Sequence, residues 1–342
     1  MAITIKLIAQ KSGFSASTVS HAISGRNPGK RSLSPETINK IRAVAQEMGY
    51  RPNLLAAGLA QSKTYAIGVL VALLRGDFYE RILEAITEVV WPEFSPLLAV
   101  HNYDLQRERR EIDLFLGKRV DGVIAACSGR EENIEAYQSI IKNYSMPLVF
   151  VDRGLNGVDC PVVRGDHEKT AFLAAHELQK LGHKRIIYAT AGAKLESTEL
   201  FKDGYRKAMG EAGLEPIVLH PDLAVWNKQI NRQLAADVVD QVRRGDGPTA
   251  VVCQVDWLAY DVLAQCELHG LKVPDDVSVM GLQDCEPSAL PAISLSTIRV
   301  SFEDVGRQAA SVLLKLINGE DIGRQTFMIE PSVIMRGTTR AI

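Results

Sequence analysis

Ala16, Ser17, Ser20 and His21 recur at helical spacing on one side of a short stretch whose other side carries Val19 and Ile23. Hydroxyls and an imidazole on an outward helix face can hydrogen-bond to the edge of a partner, and the surrounding segment indicates that partner's charge. Residues 1–63 hold nine basic side chains (Lys6, Lys11, Arg26, Lys30, Arg31, Lys40, Arg42, Arg51 and Lys63) against Glu36 and Glu47, a net charge of +7. The 342-residue chain as a whole carries −2, so the remainder carries −9. A basic head on an acidic body is the electrostatic footprint of a polyanion binder.

Catalytic chemistry has no comparable footing. The chain has no GxGxxG or GxxxxGK[ST] phosphate loop and no GxSxG elbow, and neither His167-Glu168 nor His176-Glu177 is followed by the second histidine of HExxH. His176 reads as a packed helical residue and His183 as a structural residue in a helix-to-strand turn. The five cysteines (Cys127, Cys160, Cys253, Cys266 and Cys285) are odd in number and include no CxxC pair, which fits reduced thiols and neither a disulfide framework nor a zinc site. Cys253 and Cys285 read as small buried apolar residues. No cofactor and no metal is expected. No apolar run approaches the ~18–20 residues of a membrane span, and the N-terminus lacks a signal-peptide pattern, so a cytoplasmic location is expected.

The outward face at Ala16–His21 needs a scaffold. Thr4 can cap a helix from Ile5 to about Lys11, with Leu7 and Ile8 inward. Ser12-Gly13-Phe14 breaks it, and Ser15 caps a second helix, Ala16 to about Ser24. Two short helices joined by a turn containing glycine form a helix-turn-helix. Gly25 to Arg31 is a basic loop. Ser34-Pro35 opens a third helix bearing Ile38, Ile41, Val44, Ala45 and Met48, which Gly49 ends. Pro52 to Ala60 can form about two helical turns, too few to be stable alone.

These residues carry a resemblance. Thr4-Ile5, Ala9, Gly13-Phe14-Ser15, Thr18-Val19-Ser20 and Gly49-Tyr50-Arg51-Pro52-Asn53 resemble the headpiece of the lac-repressor/galactose-repressor family of bacterial transcription regulators. Ala56 and Leu59 fall where that family has its hinge-helix alanine and leucine. Lys63-Thr64, Ile67-Gly68-Val69, Val120-Asp121-Gly122-Val123-Ile124, Leu181-Gly182-His183-Lys184-Arg185-Ile186 and Val277-Ser278-Val279-Met280-Gly281 extend the resemblance over nearly the whole chain.

Beyond residue 66, short apolar runs alternate with amphipathic stretches. Strands are predicted at 67–71, 97–100, 120–126, 148–151, 186–190, 217–219, 250–253 and 277–281, and helices at 78–90, 107–118, 168–181, 231–244, 257–269 and 302–316. Such alternation predicts an α/β fold with parallel sheets covered by helices on both faces, and two sets of four strands predict two similar lobes. The resemblance implies a two-lobed periplasmic-binding-protein-like core preceded by the all-α helix-turn-helix headpiece. It also implies three crossings between the lobes. The expected division is a headpiece at 1–49, a hinge at 50–63 and a ligand-binding and dimerisation core at 64–342. Within the core, the N-lobe takes 64–163 and 297–326, and the C-lobe 164–296 and 327–342.

The resemblance also implies roles. Ala16, Ser17 and His21 match base-reading positions, with Thr18 and Ser20 nearer phosphate. Thr4, Ser15, Arg26, Lys30, Asn53, Ala56 and Leu59 complete the expected DNA-contacting set, Leu59 as a minor-groove wedge. An effector is expected in the interlobe cleft, at the carboxyl ends of strands, held by Arg75, Phe78, Asp152, Arg153, Glu199, Trp226, Val255, Asp256, Trp257 and Gln283. Three of these depart from the family's sugar-binding pattern: Glu199 stands for an arginine, Val255 for an asparagine and Gln283 for an aspartate. A plain neutral hexose is therefore not expected. Either an amine-bearing ligand pairs with Glu199 and Asp152, or Glu199 pairs internally with Arg153 and closes the cleft. Trp91-Pro92-Glu93-Phe94-Ser95-Pro96 departs from the family's usual turn and has no functional reading. The expected function is a DNA-binding transcriptional regulator, a repressor, acting on a palindromic double-stranded operator. The family's tetramers use a C-terminal leucine heptad and none follows Thr338, so the resemblance implies a homodimer. The small-molecule effector is of unknown identity, and no membrane partner is expected. The alternatives are control by a protein partner, or small-molecule binding without a DNA function.

Overall fold

A computed structural model describes residues 3–24, 33–50, 63–74, 76–190, 195–221 and 228–342. It separates into two compact units, Met1–Tyr65 and Ala66–Ile342.

The smaller unit contains α1 (Ile5–Ser12), α2 (Ala16–Ser24) and α3 (Pro35–Glu47). Thr4 caps α1 by accepting from the Leu7 N–H at 3.4 Å. Gly13 ends it at φ 76°, a left-handed conformation that costs glycine nothing. Ile8, Val19, Ala22, Ile41 and Ala45 form the buried core, and Ile23 is packed against it. Leu7, expected inward, is 39% exposed. Three short helices enclose only one residue per turn of α1, and Ile8 takes that place.

The larger unit is two lobes built around two six-stranded sheets. The first sheet contains β1 (Ala66–Val71), β2 (Ser95–Val100), β3 (Gly122–Ala125), β4 (Leu148–Val151), β5 (Val162–Gly165) and β11 (Thr326–Ile329), in the order β11-β5-β4-β3-β1-β2. The second contains β6 (Ile186–Ala189), β7 (Ile217–Leu219), β8 (Ala250–Cys253), β9 (Ser278–Gly281), β10 (Ser296–Arg299) and β12 (Ser332–Ile334), in the order β12-β10-β9-β8-β6-β7. All pairs are parallel except β10 with β12. Each sheet thus has two more strands than the four expected. Those additional strands are three or four residues long, too short for their alternation to stand out.

Helices α4 (Asp77–Val90), α5 (Leu105–Lys118), α6 (Ile134–Lys142) and α11 (Phe302–Ile317) cover the first sheet. Helices α7 (His167–Lys180), α8 (Glu196–Glu211), α9 (Lys228–Val242) and α10 (Asp256–Leu268) cover the second. Ile67, Val69 and Val71 pack on α4 and α11, whereas Leu70 faces Ile112 and Phe115 of α5, the period-two signature of a sheet buried on both sides. Each fully buried large aliphatic side chain there contributes about 1.5–3 kcal/mol.

The chain crosses between the two sheets three times. β5 lies wholly in the first lobe, β10 wholly in the second, and β11 wholly in the first. A strand stays in its ladder until its pairing ends, so the crossings fall after Gly165, Arg299 and Ile329. Among the described residues, no helix is long and apolar enough to cross a membrane.

Candidate functional site

Each unit carries one candidate site. In the smaller unit, the Ser15 hydroxyl accepts from the Thr18 N–H at 3.1 Å and lies 2.8 Å from the Thr18 hydroxyl, fixing the start of α2. Arg42 of α3 donates to the Ala22 carbonyl at 3.3 Å, satisfying an orphan group near the other end. Between these ties, Thr4, Ser15, Ala16 and Ser17 are exposed, whereas Thr18, Ser20 and His21 are half-buried. The outward face is therefore offered mainly by the first turn of α2. Arg26, Lys30, Asn53, Ala56 and Leu59 lie outside the described residues.

In the larger unit, a cavity of about 230 Å³ lies between the lobes, at the carboxyl ends of both sheets. Its first wall begins at Asp152, just after β4, whose φ of 69° is left-handed. The Asp152 carboxylate pairs with Arg153 and accepts from the Tyr79 hydroxyl at 3.3 Å. His167, the first residue of α7, donates from Nε2 to the Asp152 carbonyl at 2.9 Å. Burial holds the His167 imidazole below its usual pKa, outweighing the opposing pull of Asp152, so the ring is neutral at pH 7. Burial also works against the Arg153 charge, but Asp152, Tyr103 and Tyr79 overcome it and the guanidinium stays protonated. Its Cζ lies 5.8 Å from the Tyr103 ring centroid. Several buried polar atoms here have no partner in the protein: Nε and Nη1 of Arg153, Nδ1 of His167 and Oγ of Ser128.

Phe78 lines the same cavity, edge-on to Phe302 with ring centroids 4.5 Å apart. The second lobe contributes Val255, Trp257 and Gln283. Trp257 lies against Gly76 of the first lobe; a Cβ at Gly76 would come within 2.3 Å of the indole Nε1, and the φ of 67° independently favours glycine. Of the expected effector residues, Phe78, Asp152, Arg153, Val255, Trp257 and Gln283 meet at this cavity. Arg75 and Trp226 lie outside the described residues.

Two expectations need correction. Glu199 does not line the cavity. Ser197, Thr198 and Phe201 take the inward face of α8, which turns Glu199 out to solvent, where it binds Lys202 at 2.9 Å. Neither the expected ligand contact nor the expected Arg153–Glu199 pair is present. Asp256 is fully buried and also absent from the lining. It accepts from the Gln283 and Cys285 N–H groups at 3.2 and 2.9 Å, and from the Ser288 and Thr297 hydroxyls at 2.6 and 2.9 Å. Burial nevertheless pushes its pKa above the usual carboxylate range. Gly281 makes room for this carboxylate, since a Cβ there would come within 2.0 Å of Oδ1. Asp256 thus ties the loop carrying Gln283 to β10 instead of facing a ligand.

Sequence reasoning missed Tyr79, Tyr103, Ser128, Arg130, Arg164, His167 and Phe201, all of which line the cavity. Ser128 and Arg130 follow β3, so the strand-end rule could have found them; Arg164 sits on a strand that had not been recognised. His183 does have a structural role: Nε2 donates to the Arg340 carbonyl at 3.1 Å, and Nδ1 lies 2.9 Å from the Thr249 hydroxyl. His176 stacks on Phe172. All five cysteines are buried, and burial raises the thiol pKa of each.

Residues 4–53 match the family model of bacterial regulatory proteins of the lacI family, and residues 175–339 match that of the periplasmic-binding-protein-like domain. The chain thus joins a lacI-family helix-turn-helix domain to a periplasmic-binding-protein-like domain. Similar proteins include the HTH-type transcriptional repressor PurR of Vibrio campbellii, 27% identical with 99% of each chain covered. Another is the ribose operon repressor of Haemophilus influenzae, 26% identical with 97% of each covered. Among solved structures, the lac repressor dimer bound to operator and the anti-inducer ONPF superposes with a TM-score of 0.87 over 100% of both chains at 24% identity, a likeness of fold.

Proposed function

We propose that this chain is a lacI-family DNA-binding transcriptional repressor that acts as a homodimer in the cytoplasm, binds a near-palindromic operator and answers to a small molecule held between its lobes. It works by binding and not by turnover. The observation that carries the reading is one chain with two kinds of site: a capped helix-turn-helix with an exposed polar first turn on α2, and a cavity whose walls come from both lobes. A ligand touching both walls favours one lobe arrangement over another by the difference in its affinity for the two.

In this reading, Ala16, Ser17 and His21 read base edges, Ala16 by apolar contact and His21 by donation to a guanine acceptor. Thr4, Ser15, Thr18, Ser20, Arg26 and Lys30 position the backbone, and Asn53, Ala56 and Leu59 serve the hinge. The test is sedimentation of the full chain with an operator duplex. Two chains per duplex support the reading, and the affinity should fall steeply as salt rises. One chain per duplex, or affinity indifferent to salt, contradicts it.

A further inference from the structure

The expectation of an amine-bearing ligand rested on Glu199, which lies outside the cavity. The cavity itself is cationic. Among the described residues, its charged lining is Arg130, Arg153 and Arg164 against Asp152 alone. Glu196, the carboxylate near Arg164 at 3.4 Å, is 46% exposed on its side chain and screened by solvent. Asp152 engages only one terminal nitrogen of Arg153, leaving Nε and Nη1 buried without a partner, as is the Ser128 hydroxyl. Arg153 is 6% exposed and Ser128 2%.

Ser128 and Arg130 follow β3, Arg153 follows β4 and Arg164 belongs to β5, three neighbours in one sheet, so their donors cluster. Buried donors left unmet are costly, and Nε and Nη1, on different edges of the guanidinium, can each donate a charge-assisted hydrogen bond to an anionic oxygen. His167 donates from Nε2, which leaves an unpartnered lone pair on Nδ1 to accept from a ligand O–H or N–H. The rest of the wall is apolar, with Phe78, Phe201, Leu282 and Phe302. At about 230 Å³ the space is small for a ligand site.

We propose that the effector is a small organic carboxylate. Its oxygens sit on Arg153 and Ser128 in the field of Arg130 and Arg164, a neighbouring hydroxyl or N–H meets His167, and its apolar body lies against Phe78 and Phe302. This rests on reading the cleft as the effector site.

The test is calorimetry and thermal melting of the full chain with benzoate, 3-phenyllactate and 4-methylpentanoate, each beside its primary amide, with benzylamine and inorganic phosphate as further probes. At least one carboxylate should bind about tenfold or more tightly than its amide, the equivalent of one charge-assisted hydrogen bond. Arg153→Gln should weaken that binding by about tenfold or more. Should this variant fail to fold, Arg130→Gln, on the half-buried rim, tests the same claim. Amides that bind as tightly as acids, stabilisation by benzylamine or by phosphate alone, or no binding by any carboxylate would overturn the proposal. Selection of DNA by the same preparation separates the two readings. A chain that selects a palindrome yet ignores every carboxylate keeps its regulatory function and loses this ligand class. A chain that binds a carboxylate and selects no sequence does the reverse.

Discussion

Asp152→Asn isolates the charge at the centre of the cleft. The backbone there has φ 69°, a conformation that asparagine tolerates as well as aspartate, so the substitution adds no backbone strain. It removes the carboxylate that pairs with Arg153, whose side chain is 8% exposed. Breaking a buried pair by deleting one partner costs about 3–5 kcal/mol. One feature reduces that here: the amide oxygen can still accept from Arg153 or from Tyr79. A loss of about 2–3 kcal/mol is expected, in the range of one hydrogen bond to a charged group. This is a large part of the ~5–15 kcal/mol that holds a domain folded. Urea unfolding without ligand should show the midpoint lowered at an unchanged slope. Ligand binding should move the other way, because removing the one carboxylate that the described residues give the lining raises the field on a bound anion; carboxylate affinity should rise by a few-fold or more. Asp152→Ala, which cannot replace the hydrogen bond and sits poorly at positive φ, should lose about 1–2 kcal/mol more. An Asp152→Asn midpoint equal to wild type would refute the reasoning that Arg153 depends on this carboxylate.

Other consequences follow from particular contacts. Gly281→Ala should destabilise the larger unit by about 2 kcal/mol or more, since its Cβ would press on the Asp256 carboxylate; thermal melting checks this, and an unshifted Tm counts against the packing described. Ser15→Ala should cost the headpiece about 1 kcal/mol through loss of the α2 cap, read as a lower first melting transition with the second unchanged. His21→Ala should relax preference at one base pair per half-site, at about 1–3 kcal/mol, in a selection on randomised operators. Burial lowers the folded pKa of His101, His167 and His183, so the unfolded chain takes up more protons just below about pH 6.5 and stability is lost as pH falls through that value. His101→Gln should flatten the slope of unfolding free energy between pH 7.5 and 5.5; an unchanged slope would show that His101 does not contribute.

The two lobes and most helices were legible because their signals are local and repeated. Ile67, Val69 and Val71 announce a buried strand, and Ser34-Pro35 announces the start of α3. The short edge strands β11 and β12 were not legible, because three or four residues of ladder leave little pattern and their partners are distant in sequence. In the cleft, the strand-end rule located Asp152, Arg153, Val255 and Gln283. The family resemblance misplaced Glu199 where helix rotation decides: Glu199 and Phe201 are two residues apart on α8, and only the packed helix shows which one faces the cavity. The strand-end rule failed at Asp256, where a strand-end carboxylate serves four internal donors, a role that only the loop from Gln283 to Ser288 reveals. The free donors of Arg153 likewise depend on which of its nitrogens Asp152 reaches.

The central claim is that the outward face of α2 reads a defined DNA sequence as part of a dimer. Selection of the purified full chain on a pool of random duplexes, at near-physiological salt, tests this most directly. The account predicts enrichment of one near-palindromic sequence with two-fold symmetric half-sites. Recovery of the input pool, with no sequence enriched over competing DNA, would contradict it.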